Sequence, residues 1–432
     1  MRVALVSPYS WSYPGGVTRH IASLAAHLRE AGHDARILTP FDPDDRRSVR
    51  AHRGAAPERR ELSDEIVALG RTVGFAANGA VSNLAVAPSA VIALRRELRR
   101  GGYDVVHVHE PIAPVIGWDV LRERELPLVG TFHAYSTNRL TNGIGNFAGA
   151  ARRLNRLAVR IAVSKAAAWT GERFFGGRYR VIPNGVEVPD SLPAHDPVVP
   201  SGERPLRLTF IGQAVERKGL PVALAAFEAL RGRTSVELDL VGVTSAQLAP
   251  LLADSTGVRA HGQLGDAAKI ALLRRADLLL APSLRGESFG MVLTEAFAAG
   301  VPVVASKIPG YAGVVSDGVD GVLVPPGDPV ALATAILDLA FDPGRRGAMS
   351  HAAGLAARRY AWPRVTAKVI EAYEDAIATP APRGTAARLA LRSRDPDAVA
   401  LPRGRRLPSL EPGARAHRLG ARGTLLATLE ED

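Results

Sequence analysis

At 432 residues the chain exceeds the length that a single hydrophobic core usually supports, which points to two domains. Apolar residues make up 47% and charged residues 22%, excluding a largely disordered or collagen-like protein, and the lack of cysteine excludes a disulfide framework, a thiolate nucleophile and a Cys-ligated zinc site. The formal charge of +11 suits phosphates, nucleic acid or anionic lipid, but ten Arg against six acidic residues after Thr379 account for only about +4 of it. No nucleic-acid-binding motif accompanies the rest, so nucleic acid is not an expected partner.

The opening MRVALVSPYSW is too short for a signal-peptide core and reads as a first buried strand. No apolar run reaches the ~18 residues of a membrane-spanning helix. A helix from about Thr18 to Ala31 follows, then strands in ARILTP, YDVVHVH, PLVGTFH and RIAVS. Strands alternating with amphipathic helices predict parallel β-α-β units. In YRVIPNGVEVPDSLPAHDPVVPSGERP, proline, glycine and small polar residues replace the periodic pattern, marking a linker. The second half repeats the rhythm with LRLTFIG, SVELDLVG, ADLLLAP, VPVVAS and GVLVPP, and helical patterns run through DPVALATAILDLA and WPRVTAKVIEAYEDAIA. Beyond Ala378, Arg, Pro, Ala and Gly predominate with too few large apolar side chains to offset ordering. The expected map is a Rossmann-like domain over 1–187, a linker over 188–205, a second Rossmann-like domain over 206–361, a helix over 362–378 and a disordered basic tail over 379–432.

The segment RGESFGMVLTEAFAAGVPVVAS carries the strongest chemical signal. If Ser288, Phe289 and Gly290 form a loop at a helix N-terminus, exposed backbone N–H groups and the positive dipole end suit an anionic diphosphate. Glu287 before that turn is placed to accept bonds from sugar hydroxyls, and Glu295 within the helix to grip a ribose. The pair Gly15-Gly16 between strand and helix permits close approach of backbone to a phosphate, although a tight turn alone would also explain it. It is no dinucleotide fingerprint, because G-x-G-x-x-G does not occur there. Lys218, after the strand ending at Gly212, offers an ammonium to a departing diphosphate. His133 terminates PLVGTFH, at the strand edge where open α/β sheets place ligands, although a lone histidine is more often structural. His107 and His109 share one strand face without further partners in the sequence, and no Asp-x-Asp motif occurs, so neither a metal nor another cofactor is expected.

Glu-x7-Glu in this glycine-flanked setting resembles the donor-site signature of the GT4 family of glycosyltransferases. The resemblance runs through PYSWSYPGGVTRHIASLAAHLREAGHDARILTP, HVHEP, TFH, IAVS, IPNGVE, ERKG and GESFG in the family's order, to about Ala378. Within the family, the chain resembles most the actinobacterial phosphatidylinositol mannosyltransferases and their relatives. The likeness implies a GT-B fold, with two Rossmann-like β/α/β domains facing a central cleft and a C-terminal helix crossing back to the N-domain, which takes the acceptor while the C-domain takes the nucleotide sugar.

It further implies a retaining transfer of a hexose, mannose favoured, from a nucleotide diphosphate sugar to a hydroxyl of a lipid or polyol acceptor. GDP-mannose is the favoured donor, with UDP-sugars as the alternative. Residues carried over are His133, Glu287 and Lys218 for catalysis, and Gly16, Gln213, Arg217, Lys218, Ser288, Phe289, Gly290 and Glu295 for the donor. Relatives commonly have arginine where this chain has Gln213, so Arg217 is the candidate to restore the missing charge.

Asn78, Asn138 and Arg139 fall at the acceptor positions. Ala77 and Asn83 replace aromatic and basic neighbours in the loop FAANGAVSNL, and Asn138 replaces a lysine. Arg95, Arg96, Arg99 and Arg100 match a basic helix that docks on anionic lipid, implying a cytoplasmic protein peripheral on the inner leaflet. Arg152, Arg153, Arg156 and Arg160 read as a second basic stripe. The alternative reading, motivated by Gln213 and the altered acceptor loop, is an inactive pseudotransferase that binds a nucleotide sugar or a partner.

Overall fold

The computed structural model describes residues 1–77, 80–138, 149–191 and 198–379. Asn78, Arg139 and residues 380–432 of the expected tail lie outside the described residues. The chain divides into two compact units, one formed by Met1–Gly185 with the stretch beginning at Ala361, the other by Val186–Tyr360.

The first unit holds a parallel sheet of order β3-β2-β1-β6-β7-β8-β9. Its strands are β1 (Arg2–Val6), β2 (Asp34–Thr39), β3 (Ile66–Ala68), β6 (Val105–His109), β7 (Leu128–Phe132), β8 (Val159–Ala162) and β9 (Arg180–Val181). β1, β6 and β7 are buried on both faces, as the near-continuous apolar runs predict for strands covered by helices. The helix Gly16–Glu30 begins two residues before the expected start, because Thr18 Oγ1 accepts a bond from Gly15 N (3.1 Å) and caps the first turn. Phe75–Ala77 and Ala80–Leu84 of FAANGAVSNL, expected as a loop, lie instead in two paired antiparallel strands, β4 (Thr72–Ala77) and β5 (Ala80–Ala85). In the sequence, an Asn-Gly pair between alternating residues is a hairpin signal.

The helix Trp362–Ala378 returns to this unit. Trp362, Val365, Val369, Ala372, Tyr373 and Ala376 form a helical stripe that joins Val3, Leu5, Ile21 and Leu24 in one core. A Cβ on Gly185 would lie 2.2 Å from the Trp362 ring, so glycine there lets the helix start seat against the chain.

The second unit holds a parallel sheet of order β12-β11-β10-β13-β14-β15. Its strands are β10 (Leu206–Ile211), β11 (Val236–Val241), β12 (Val258–Gly262), β13 (Leu278–Ala281), β14 (Val303–Ser306) and β15 (Gly321–Val324). Both sheets are doubly wound, with order reversing between β1 and β6 and between β10 and β13. Ligands of such sheets bind beyond the carboxyl ends of the strands at that reversal. Among the described residues, no helix is long and apolar enough to cross a membrane.

Candidate active site

At the reversal of the second sheet, two loops are fastened together. The turn Glu216–Lys218 after β10 closes at Gly219 (φ +71°), where a Cβ would stand 1.9 Å from the carbonyl oxygen of Pro282. Only glycine lets this turn lie against the end of β13. Leu284 N then donates to Arg217 O at 2.8 Å. The outcome is that Arg217 Nη1 (2.6 Å) and Lys218 Nζ (2.7 Å) meet the same Glu287 oxygen, Oε1. All three side chains are largely buried, where attraction is screened less than at the surface. One carboxylate thus orders two cations, leaving a local charge of +1 suited to a diphosphate.

Two glycines shape the carboxylate's own loop. Gly290 (φ +90°) caps the helix Met291–Ala298, and a Cβ there would lie 2.7 Å from the Tyr311 ring. A Cβ on Gly310 would lie 2.2 Å from Glu287 O. Tyr311 is buried and bonded to Ser283 Oγ (2.8 Å); burial, then the charge of Glu287, holds its phenol well above its ordinary range. Ser288, Phe289 and Gly290 do form the loop at a helix N-terminus, as the sequence suggests. Phe289, however, packs in the core, edge-on to Tyr360 at 5.6 Å, so it anchors the loop.

Glu295 Oε1 accepts a bond from Lys269 Nζ at 2.8 Å, and Lys269 also meets Asp266 at 3.1 Å. Lys269 is buried. Sequence reading did not single it out, because a lysine in the helix Asp266–Leu273 looks like ordinary surface. Gln213 is exposed just past β10, with its carbonyl bonded to Val215 N.

In the first unit, Gly16 is exposed at the helix start after β1, and His133 follows β7. His107 is fully engaged, bonded to Tyr373 Oη (2.8 Å) and Thr131 Oγ1 (2.6 Å). The expectation that His107 and His109 lack partners is corrected, because the parallel register brings neighbours together that sequence keeps apart. His109 Nδ1 lies 3.0 Å from His133 Nε2, and His20, from the first helix, packs edge-on to both rings. Burial pushes these imidazoles toward the neutral form, His20 to about 4, His107 to about 3, and His109 and His133 well below the usual value.

Glu110 of HVHEP was also passed over. It adopts φ 50°, and its Oε1 accepts a bond from His133 N at 2.7 Å. Burial raises its carboxyl to about 7, against the opposing bonds from the His133 and Ala134 amides.

Asn138 is exposed, its amide bonded to Ser136 Oγ at 3.2 Å. On the helix Pro88–Arg100, Arg95, Arg96, Arg99 and Arg100 are all exposed, and Arg95 also forms a two-pronged pair with the buried carboxylate of Asp119. The second stripe is not a helical face. Arg160 sits buried on β8, bonded to Gly176 O and Asn155 Oδ1, and Arg156 donates to Glu123 O.

Two doubly wound units with chemical groups at their strand reversals, and a C-terminal helix returned to the first unit, are the GT-B glycosyltransferase architecture. The chain belongs to glycosyltransferase family 4: residues 14–189 match that family's pattern, and residues 205–342 match that of the glycosyl transferases group 1. It is 36% identical to the phosphatidyl-myo-inositol mannosyltransferase of Mycobacterium leprae over 87% of this chain and 96% of that protein. The fold is shared with sucrose-phosphate synthase of Thermosynechococcus elongatus (TM-score 0.68, 20% identity, 87% of this chain and 99% of that one). It is shared also with Anabaena HepE in complex with UDP and glucose (TM-score 0.64, 22% identity, 86% and 98%). The protein is a glycosyltransferase of the GT-B class.

Proposed function

We propose that this enzyme transfers mannose, with retention, from GDP-mannose to an inositol hydroxyl of phosphatidyl-myo-inositol at an anionic membrane surface. The convergence of Arg217 and Lys218 on Glu287 is the observation that carries the donor side. As the bond from the anomeric carbon to the diphosphate breaks, negative charge grows on the leaving oxygen. Arg217, Lys218 and the backbone N–H groups of Ser288, Phe289 and Gly290 stabilise that charge more in the transition state than in the ground state. The acceptor oxygen attacks from the same face and its proton passes to the leaving phosphate, so no enzyme carboxylate is needed as a nucleophile. In this reading Glu287 and His133 hold the sugar, Gly16 lies close to the diphosphate, and Glu295, oriented by Lys269, holds the ribose. Gln213 adjoins the donor without adding charge.

The choice of mannose and a phosphatidylinositol acceptor is supported by the name of the mycobacterial relative. Asn78, Asn138 and Arg139 are the acceptor residues of this reading. Arg95, Arg96, Arg99 and Arg100, with exposed Ile92 on the same helix, offer a basic and apolar face for the inner leaflet. The test is incubation with GDP-mannose or a UDP-sugar and phosphatidylinositol vesicles, with product identified by mass spectrometry and anomeric configuration by NMR. A mannolipid with the donor's configuration is expected; product from UDP-sugars alone overturns the donor, and product from neither overturns the acceptor. Sedimentation with vesicles, insensitive to anionic lipid content, would remove the membrane role.

A further inference from the structure

We propose that His20, His109 and His133 form a binding site for one divalent transition-metal ion of the zinc class. One nitrogen of each lies within 4.8 Å of one nitrogen of the other two, and all three side chains are buried. Zinc–imidazole bonds of about 2.0–2.1 Å in a tetrahedral set require nitrogens about 3.4 Å apart. The 3.0 Å between His109 Nδ1 and His133 Nε2 and the 4.8 Å upper limit within the trio bracket that spacing, so binding calls for small shifts of the rings.

A second, independent observation points to a ligand. Among the described residues, His20 Nδ1 and His109 Nε2 are buried with no hydrogen-bond partner. Buried polar atoms of native proteins are nearly always satisfied, so two orphaned ring nitrogens on adjacent imidazoles point to a ligand, and in the tautomers that leave them unprotonated each offers a lone pair to a cation. An all-imidazole donor set suits zinc, copper, nickel or cobalt, whereas magnesium and calcium prefer oxygen. Burial favours the neutral form that metals bind, and neighbours hold the rings in place: Trp362 packs on His20 at 5.4 Å, and Glu110 bonds the His133 backbone. His107, in contrast, has both nitrogens engaged and belongs to the wall of the site.

A consequence follows for turnover, and it rests on the reading of His133 as a sugar contact. An ion that draws His133 into its coordination shell removes that contact, so zinc would inhibit transfer reversibly.

The experiment titrates chelator-treated full-length protein with Co2+, a spectroscopic stand-in for zinc. Expected are one ion per chain, the visible absorption of low-coordinate cobalt, displacement by Zn2+, and affinity weakened on the order of 100-fold in His20→Gln. Imidazole 15N shifts on adding Zn2+ to the unmodified protein report the same three rings without relying on a variant. Failure to bind Co2+, binding unchanged in folded His20→Gln, or zinc that leaves those ring nitrogens unshifted would each overturn the site. Binding through these rings with transfer undiminished upholds the site and instead removes the sugar contact of His133.

Discussion

Lys218 Nζ lies 2.7 Å from Glu287 Oε1, the same oxygen that Arg217 reaches at 2.6 Å. Two cations share one carboxylate, so the three positions should respond differently to substitution. Glu287→Ala removes the acceptor for sugar hydroxyls but leaves both cations for the diphosphate. Donor affinity by calorimetry should hold or tighten while kcat falls at least about 100-fold. Lys218→Ala removes a leaving-group donor and should lower kcat by about 100- to 1,000-fold with weaker donor binding as well. Undiminished turnover in Glu287→Ala would sink the assignment.

Gln213 is exposed beside this cluster and carries no charge, while Arg217 is tied to Glu287. Gln213→Arg should therefore strengthen donor binding by about three- to tenfold, the yield of one charge-assisted bond of roughly 1 kcal/mol. KM for the donor measured at two salt concentrations checks this, since the added charge should also steepen the salt dependence. An unchanged KM would show that Arg217 and Lys218 already saturate the diphosphate.

What could be read from sequence tracks how local each signal is. The long strands announced themselves as apolar runs, and Glu287, Ser288, Phe289, Gly290 and Glu295 lie in one continuous segment whose spacing carries their geometry. Lys269, Gly310 and Tyr311 meet that segment from other elements, and nothing in their immediate sequence distinguishes them. The histidine cluster is the clearer case. His20, His109 and His133 follow or end β1, β6 and β7, and only the strand order makes these neighbours. Arg160 differs in another way: it reads as part of a basic stripe although RIAVS marks a strand, and on β8 its partners are interior.

Gly310→Ala tests the loop shape with little change in chemistry. Its Cβ would sit 2.2 Å from Glu287 O, a backbone atom that cannot swing aside, so the carboxylate must move. Overpacking of this kind costs about 1–3 kcal/mol, and a displacement of about an ångström at a catalytic group can cost about 100-fold in rate. Gly313→Ala is the control, because its nearest neighbours are at 3.8 Å. Only the first variant should lose donor binding and turnover; equal behaviour of the two would show that the contact does not position Glu287.

Lys269→Met should isolate the ribose grip. The substitution removes the buried partner of Glu295 while keeping much of the side-chain volume. A carboxylate left without that partner loses its orientation, so donor KM should rise about tenfold, the loss of a charge-assisted bond of roughly 1.5 kcal/mol, with kcat nearly unchanged. A kcat defect at unchanged KM would place Lys269 with the reacting groups instead.

Acidification should destabilise the first unit. His20, His107, His109 and His133 all have pKa values lowered by burial, His20 from 6.5 to about 4. Their unfolded forms take up protons below pH 6.5 while the folded forms do not, so stability is present above 6.5 and drains away as pH falls toward 4. His20 alone accounts for on the order of 3 kcal/mol across that window. Glu110 works in the opposite sense: its carboxyl is raised from 4.5 to about 7, so its contribution is present at low pH and lost as pH rises through 7. Four imidazoles outweigh one carboxyl, and thermal unfolding followed from pH 7 to pH 5 should show a falling midpoint with net proton uptake, read by calorimetry in buffers of different ionisation enthalpy. A midpoint that climbs over this range would mean that Glu110 dominates and that the imidazoles are already charged in the folded protein.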